Sequence, residues 1–287
     1  MYNGKAIYNP SGKAGEYARW ACNLHVGCSN DCDYCYCKKG VLGSAMGAQQ
    51  ATLKKCFKDE NDAYHVFCKE LQKNADSIRR EGGIFFSFST DPCLPENIEL
   101  TMTCVMTATG MDVPCQILTK CSAWAKDEDI FASLLSVKDK VAVGATLTGM
   151  DSMEKGPTVA SNIERVEMLR RFRKAGFRTF ASVEPVVDIM AARRILTEAS
   201  DACGFYKIGL LSGKHDYDWD ELNDFVKDWN AVFTGAGARV YWKESVTKVL
   251  GYRPQAPCTV ESDYDIFAYS PFTEGKRIGG TPRPAKK

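Results

Sequence analysis

The sequence predicts an α/β domain in which short parallel strands alternate with helices that pack outside the sheet. The first observation behind this prediction is a series of short runs rich in β-branched and aromatic residues. The second is the set of amphipathic helical patterns that separate these runs. An open doubly wound sheet and a closed or partly closed barrel both produce this alternation, so periodicity alone does not separate the two architectures.

Seven segments are predicted to be strands. The first is 21–27, which leads directly into a cysteine-rich loop. The remaining six strands are predicted at 82–89, 113–120, 140–148, 177–186, 204–211 and 238–245. Because each pair of runs is separated by enough residues for a helix, the strands are expected to be parallel neighbours joined by crossover helices.

Apolar residues at three- and four-residue steps predict the helices. One stripe consists of Phe67, Leu71, Ala75 and Ile78, and another of Trp219, Leu222, Val226, Trp229 and Phe233. Ser161 followed by Glu164 forms a capping box that begins a third helix, and Gly176 is well placed to end it.

Composition excludes several classes of protein. The 287 residues include 37 basic and 36 acidic side chains, so no strong overall field attracts nucleic acid or an anionic membrane. No stretch approaches the ~18 uninterrupted apolar residues of a membrane span. The first residues lack the apolar core of a secretory signal, and the chain is therefore expected to be cytoplasmic.

The thirteen cysteines point to metal ligation rather than disulfides, because the cytosol keeps thiols reduced. Cys28, Cys32 and Cys35 are spaced x3 and x2 in a polar loop entered through Gly27. A loop of this length is able to wrap one face of a cubane cluster and give one thiolate to each of three irons. A cluster held in this way keeps its fourth iron open to a small molecule.

Structural zinc is the alternative interpretation of this loop. Zinc sites usually combine two pairs of cysteine or histidine ligands, and no second pair follows downstream. Cys22, His25 or Cys37 would have to complete such a site. The x3, x2 spacing therefore favours an iron–sulfur cluster over zinc.

The Cys-x3-Cys-x2-Cys triplet, with Tyr34 before its last cysteine, resembles the signature of the radical S-adenosylmethionine superfamily. This resemblance implies a partial (β/α)6 TIM-like barrel of parallel strands with helices outside. It also implies a [4Fe-4S] cluster on Cys28, Cys32 and Cys35 whose open iron chelates S-adenosyl-L-methionine. One electron from the cluster then cleaves the cofactor to a 5′-deoxyadenosyl radical, and the protein positions and shields the reactants.

Further segments are similar to the spore photoproduct lyase branch and to small radical enzymes carried by phages and mobile elements. These segments are "SFSTDPCLPE" (87–96), "LTKCSA" (118–123), the helix that carries Arg165, and "SVEPVVD" (182–188). The resemblance spans about residues 17–245. It predicts an N-terminal extension at 1–16, the partial barrel at 17–250, and a C-terminal extension at 251–287 that is mobile at its end.

Polar side chains at the predicted strand ends are the candidate cofactor ligands. By family likeness Ser87 and Ser89 would bind the methionine amino group, although Ser, Thr, Asp and Pro at 87–92 also suit a simple turn. Lys120 would bind the cofactor carboxylate. Thr146, with Thr148 beyond it, would bind the carboxylate or ribose, although β-propensity also explains a threonine at either position.

Glu184, Tyr34, Tyr36 and Cys93 complete the candidate site. A carboxylate inside an apolar strand needs a partner, so Glu184 is predicted either to pair with Arg165 or Lys207 or to bind cofactor or substrate. Lys207 and Lys243 also lie in apolar strands, so each of them needs a partner for the same reason. Tyr34 and Tyr36 are expected to shield the cluster and to contact the adenine.

Cys93 is the candidate catalytic hydrogen donor. The lyase returns hydrogen from a cysteine at the end of its second strand, where this chain has Ser89, and Cys93 follows four residues later. An inert loop thiol is the alternative unless the pKa of Cys93 is lowered.

The predicted function is a radical enzyme of lyase or transferase type with an unidentified substrate. The family resemblance favours a nucleic-acid base or nucleotide as the substrate, but the charge balance does not support a nucleic-acid partner. A reductant of the flavodoxin or ferredoxin type is the implied partner, and no membrane is involved. The alternatives are a non-catalytic iron–sulfur or zinc module, and methyl or aminocarboxypropyl transfer from the same cofactor.

Overall fold

A computed structural model describes residues 1–213 and 216–268. The strands are β1 (Ile7–Tyr8), β2 (Ala21–Cys22), β3 (His25–Val26), β4 (Thr52–Leu53), β5 (Ile84–Phe86), β6 (Cys115–Thr119), β7 (Val141–Thr146), β8 (Arg178–Val186), β9 (Phe205–Leu210) and β10 (Arg239–Trp242). The helices are α1 (Gly12–Gly15), α2 (Gly40–Met46), α3 (Glu60–Arg80), α4 (Ile98–Gly110), α5 (Glu128–Leu135), α6 (Asn162–Lys174), α7 (Ile189–Glu198), α8 (Trp219–Ala236) and α9 (Glu244–Leu250).

Eight strands form one sheet in the order β1-β2-β5-β6-β7-β8-β9-β10. All neighbours from β2 to β10 are parallel, and only β1 runs antiparallel to β2. Each parallel strand from β2 to β9 is followed by a helix that returns the chain to the next strand, which gives six βα units. Within the described chain the sheet is not closed between β1 and β10, so the predicted partial (β/α)6 barrel is confirmed.

The predicted first strand is divided in two. Ala21 and Cys22 pair with β5, whereas His25 and Val26 pair with β4 in a separate two-stranded sheet. Asn23 lies at the division, where its amide N–H donates to the carbonyl of Ala6 and its side-chain oxygen accepts from the amide of Phe88. The bond to Ala6 continues the β1–β2 pairing, and the side-chain bond to Phe88 lies just beyond the last β2–β5 pair, Cys22 and Phe86.

The six later strands lie within the predicted segments, and the predicted helical stripes are largely confirmed. Phe67, Leu71, Ala75 and Ile78 of α3 are all buried. In α8 the stripe is buried from Leu222 onward, but Trp219 is 45% exposed. Trp219 is the first residue of α8, and its indole N–H donates to the carbonyl of Leu250 at 3.0 Å instead of entering the core.

Local sequence signals fix the ends of α6 and α8. The capping box of Ser161 and Glu164 begins α6, and Gly176, with a φ of +94°, follows its end. Gly237 ends α8 in the left-handed conformation, with a φ of +67°, that glycine adopts without steric cost.

Apolar side chains fill both faces of the sheet. The larger cluster lies between the sheet and the helices, and a smaller one fills the barrel interior with Phe85, Phe180, Phe205 and Tyr241. Gly144 makes room for the Phe180 ring, because a Cβ there would lie 2.3 Å from a ring carbon. The barrel interior is therefore a packed core.

Both chain ends contribute to this barrel. In the N-terminal region β1 extends the sheet, and in the C-terminal region Ile266 packs into the interior cluster. The tail predicted to be mobile, 271–287, lies outside the described residues. No helix of the described ranges is long and apolar enough to cross a membrane.

Candidate functional site

The carboxyl ends of the parallel strands bring the predicted site residues to one end of the barrel. The cysteine loop, defined here as residues 27–39, follows the first parallel strand and its short β3 continuation. The segments after β5, β6 and β7 contact this loop and carry most of the other candidates.

Backbone geometry holds the cysteine loop against its neighbours. Gly27 has a φ of +83°, and a Cβ there would lie 2.3 Å from the carbonyl oxygen of Gln50. The amide of Cys28 donates to the carbonyl of Ala48 at 2.9 Å, and the amide of Cys35 donates to that of Cys32 at 3.2 Å. Glycine is therefore required at the entrance of the loop.

The ammonium group of Lys120 acts on all three predicted ligand thiols. Burial raises the pKa of Cys28 to about 12 and also raises the pKa of Cys32, while the positive charge of Lys120 lowers both. The same charge lowers the pKa of Cys35. In return, Cys32 and Glu154 raise the pKa of Lys120 against the opposing effect of burial. This cation favours the thiolate forms that bind metal.

Cys37 lies beside Cys35 on the same loop. A hydrogen bond between the two thiols lowers the pKa of Cys35 and raises that of Cys37. Cys37 is buried, and its sulfur lies 3.8 Å from the carbonyl oxygen of Phe88. Cys37 therefore has partners of its own and is not needed to complete a three-thiolate set.

The three thiols of the cysteine loop are the donor set of the predicted cluster. Within residues 1–213 and 216–268, no group of three or more His, Cys, Asp or Glu side chains converges where one metal ion would bind. A cubane takes each thiolate on a different iron, so its ligands need not converge on one point. Three thiols on one loop beside a lysine fit such a cluster.

Asp91 ties the cysteine loop to the strand ends. Its buried carboxylate accepts hydrogen bonds from the side chains of Asn30, at 2.8 Å, and Thr119, at 2.7 Å. It also accepts from the backbone amides of Cys93, at 3.0 Å, and Lys120, at 2.7 Å. Four donors saturate the carboxylate, so the "STDP" turn is a structural connection between the loop, β5 and β6.

The two predicted serine ligands already have intramolecular partners. The hydroxyl of Ser87 donates to the carbonyl of Thr90 at 2.7 Å, and that of Ser89 donates to the carbonyl of His25 at 2.6 Å. These bonds match the turn alternative. Thr146, the last residue of β7, is 5% exposed and remains a predicted ligand.

Glu154 is a site residue that the sequence prediction missed. The Tyr34 hydroxyl donates to one of its carboxylate oxygens, and the Arg165 guanidinium forms an ion pair with the other. The expected pairing of Arg165 with Glu184 is therefore wrong. Glu154 lies in a polar connecting segment, "MDSMEKGPT" (150–158), where nothing in the sequence distinguishes a buried carboxylate from an exposed one.

Glu184 pairs with a lysine other than Lys207. Its carboxylate lies 2.6 Å from the ammonium of Lys243 and accepts from the Tyr17 hydroxyl at 2.5 Å. Gly209 leaves room for this pair, because a Cβ there would lie 2.8 Å from a Glu184 oxygen. Lys207 instead donates to the carbonyls of Glu16 and Tyr17 at 2.9 and 2.8 Å.

Cys93 and Tyr36 occupy contrasting positions. Cys93 is 3% exposed and packs in the hydrophobic core, where burial raises its pKa far above the usual range. This placement favours the inert-thiol alternative. Tyr36 is 52% exposed at the edge of the cysteine loop, and its hydroxyl donates to the carbonyl of Phe88.

Sequence comparison identifies one distant relative. An uncharacterized protein of Methanocaldococcus jannaschii, MJ0683, is 24% identical over 223 residues, which cover 73% of this chain and 76% of the relative. No family model matches the chain.

Structural comparison defines the class of fold. Spore photoproduct lyase complexed with dinucleoside spore photoproduct superposes with a TM-score of 0.55 and 14% identity over 81% of this chain and 78% of the lyase. Streptococcus suis SuiB bound to S-adenosylmethionine gives a TM-score of 0.51 and 10% identity over 80% of this chain, but only 51% of SuiB. The chain thus has the fold of radical S-adenosylmethionine enzymes, and it resembles the spore photoproduct lyase branch.

Proposed function

We propose that this protein is a radical S-adenosylmethionine enzyme that uses a [4Fe-4S] cluster on Cys28, Cys32 and Cys35. The observation that supports this most directly is the position of the three thiols on one loop beside Lys120, at the carboxyl ends of the parallel strands. When bound to these thiolates, the cluster would supply the electron for reductive cleavage of S-adenosylmethionine, the chemistry that yields a 5′-deoxyadenosyl radical for hydrogen abstraction.

The residues of this chain would bind and orient the cofactor and shield the cluster. The ammonium of Lys120, which lies 5.7 Å from the centroid of the Tyr34 ring, would bind the cofactor carboxylate. Thr146, at the end of the central strand, would bind the ribose or carboxylate. Tyr34 and Tyr36 flank Cys35 and would keep water from the cluster.

The proposed substrate is a nucleic-acid base or nucleotide, acted on by a lyase or transferase reaction. This proposal follows the likeness to a lyase whose solved structure holds a dinucleoside photoproduct. At the edge of the packed interior, the half-buried rings of Tyr17 and Phe88 lie with their centroids 5.8 Å apart, and the Tyr17 hydroxyl bonds the carboxylate of Glu184. Aromatic surface beside a hydrogen-bond acceptor suits a planar ring that carries N–H groups.

Anaerobic reconstitution with iron and sulfide tests the proposal. After chemical reduction with S-adenosylmethionine present, the wild-type protein is expected to form 5′-deoxyadenosine, and a Cys32→Ala variant is expected to form none. A flavodoxin or ferredoxin would replace the chemical reductant in the cell. The same assay run with single-stranded and duplex oligonucleotides tests the substrate class.

Other products of this assay identify the alternatives. Methylthioadenosine in place of 5′-deoxyadenosine indicates aminocarboxypropyl transfer. A protein that binds a cluster but never cleaves the cofactor is a redox or binding module, and a colourless protein with bound zinc contradicts the proposal outright.

A further inference from the structure

Residues 30–33 of the cysteine loop pair with a second segment, here called the clamp loop, residues 150–160. Cys32 and Glu154 form an antiparallel β-bridge, and the amide of Asp33 donates to the carbonyl of Met153 at 2.9 Å. The amide of Gly156 donates to the carbonyl of Asn30 at 3.0 Å. The clamp loop therefore fixes the backbone on both sides of the second predicted ligand.

One side chain of the clamp loop connects the cysteine loop to the barrel. Glu154 accepts a hydrogen bond from the hydroxyl of Tyr34, which stands between Cys32 and Cys35. Its other oxygen forms an ion pair with Arg165, and both side chains of this pair are 0% exposed. A fully buried carboxylate is retained only when its oxygens are paired, and here each oxygen has a separate partner.

Arg165 links Glu154 to the sheet. Its guanidinium donates to the carbonyl of Thr146, the last residue of β7, at 2.7 Å. It also donates to the carbonyl of Ala160 at 2.9 and 2.7 Å, and the amide of Ala160 in turn donates to the carbonyl of Lys120 after β6. A continuous chain of hydrogen bonds thus runs from the Tyr34 ring to the ends of two central strands.

We propose that Glu154 is a positioning residue for the cluster, acting through the hydroxyl of Tyr34. This inference rests on the proposed function, because it assigns a role toward the same cluster. Tyr34 is one residue from Cys35 and two from Cys32, so a fixed Tyr34 ring limits the directions in which both thiols point. Groups that orient ligands in this way typically change metal affinity about 10- to 100-fold when they are removed.

The sharpest variant is Tyr34→Phe, which deletes one hydroxyl and keeps the ring beside Lys120. Glu154→Gln is less suitable alone, because it leaves the buried Arg165 without its counter-charge and threatens folding. Tyr206→Phe is the matched control, since Tyr206 is also buried and its hydroxyl donates to a backbone carbonyl, that of Ala199, at 2.7 Å.

The experiment measures the rate at which reconstituted protein loses its cluster to an iron chelator, followed by the visible absorbance of the cluster. Thermal unfolding of each cluster-free variant is measured in parallel. Tyr34→Phe is expected to lose its cluster about 10-fold faster than wild type. Tyr206→Phe is expected to lose it at the wild-type rate, even where its cluster-free form unfolds at an equally reduced temperature.

The possible outcomes separate this inference from the proposed function. A wild-type protein that holds a cluster, with a Tyr34→Phe variant that loses it no faster, overturns the positioning role alone. Equal acceleration in Tyr34→Phe and Tyr206→Phe also overturns it, because general destabilisation then explains both. A wild-type protein that takes up no cluster overturns the proposed function and this inference with it.

Discussion

Replacing Asp91 with asparagine tests whether the turn after β5 holds the site together. The substitution keeps the shape of the side chain but exchanges one acceptor oxygen for an NH2 donor. In the wild-type protein one oxygen accepts from Thr119 and the amide of Cys93, and the other accepts from Asn30 and the amide of Lys120. No orientation of an amide satisfies all four of these donors.

The size of the effect follows from the best arrangement available to the variant. If the amide oxygen faces Asn30 and Lys120, its NH2 group faces Thr119 and the Cys93 amide. The Thr119 hydroxyl can rotate to accept a hydrogen bond from the NH2 group. The buried Cys93 N–H, however, loses its acceptor, which lowers stability by about 1–3 kcal/mol. The remaining bonds also lose their charge assistance. Asp91→Asn is therefore expected to lower the free energy of unfolding by about 3 kcal/mol.

Urea unfolding of the cluster-free protein measures this loss. Asp127→Asn is the matched control, because exposed Asp127 caps α5 by accepting from the amides of Asp129 and Ile130 at 3.0 and 3.1 Å. Asparagine caps helices about as well as aspartate, so the control is expected to change stability by less than about 0.5 kcal/mol. Equal free energies for Asp91→Asn and wild type would refute the assignment of Asp91 as a saturated structural hub.

Three further predictions concern charge, space and access. Burial lowers the pKa of Lys207 to about 7, so above that pH the unfolded chain retains a proton that the folded chain has lost, and this one group adds about 2 kcal/mol of stability from pH 6.5 to 8.5. Urea unfolding should show that Lys207→Met lacks this gain in stability. If its stability changes with pH as much as that of the wild type, the prediction is wrong. Gly156→Ala places a Cβ 2.0 Å from a backbone oxygen and should lower the free energy of unfolding by about 1–3 kcal/mol. Gly235→Ala has free space for its Cβ and should not destabilise the protein. Mass spectrometry after native alkylation should find exposed Cys56 modified and buried Cys93 unmodified; rapid labelling of Cys93 would restore its candidacy as hydrogen donor.

The strands and helices were predictable because each has a strong local pattern. The runs that became β6 to β9 are mostly apolar and are buried on both faces, as strands covered by helices outside and side chains inside must be. The division of the first strand was not predictable in the same way. It depends on Asn23 bonding to Ala6 and Phe88, and both partners are distant in sequence.

The candidate site was predictable where a motif concentrates the chemistry in a few consecutive residues. The cysteine spacing identified the loop, and Lys120 was identified because it follows an apolar strand and because the family resemblance assigns it to the cofactor carboxylate. The partners of Glu184 and Arg165 were not predictable. Each is a buried charge whose counter-charge comes from another element, and the sequence states the need for a partner without indicating which one.

Two connections with different origins hold the cysteine loop, and this has a consequence for metal binding. Asp91 attaches the loop to the ends of β5 and β6, whereas Glu154, through Arg165, attaches it to the end of β7. Both carboxylates are buried and hydrogen-bonded. Much of the conformational entropy that the loop loses on becoming ordered is therefore lost when the chain folds, and not when a metal binds. The cluster proposed for this loop would therefore bind to a loop that is already ordered, unlike a zinc finger that folds only with its metal. Weakening either connection means that cluster binding must order the loop, so Asp91→Asn and Tyr34→Phe should both reduce cluster retention.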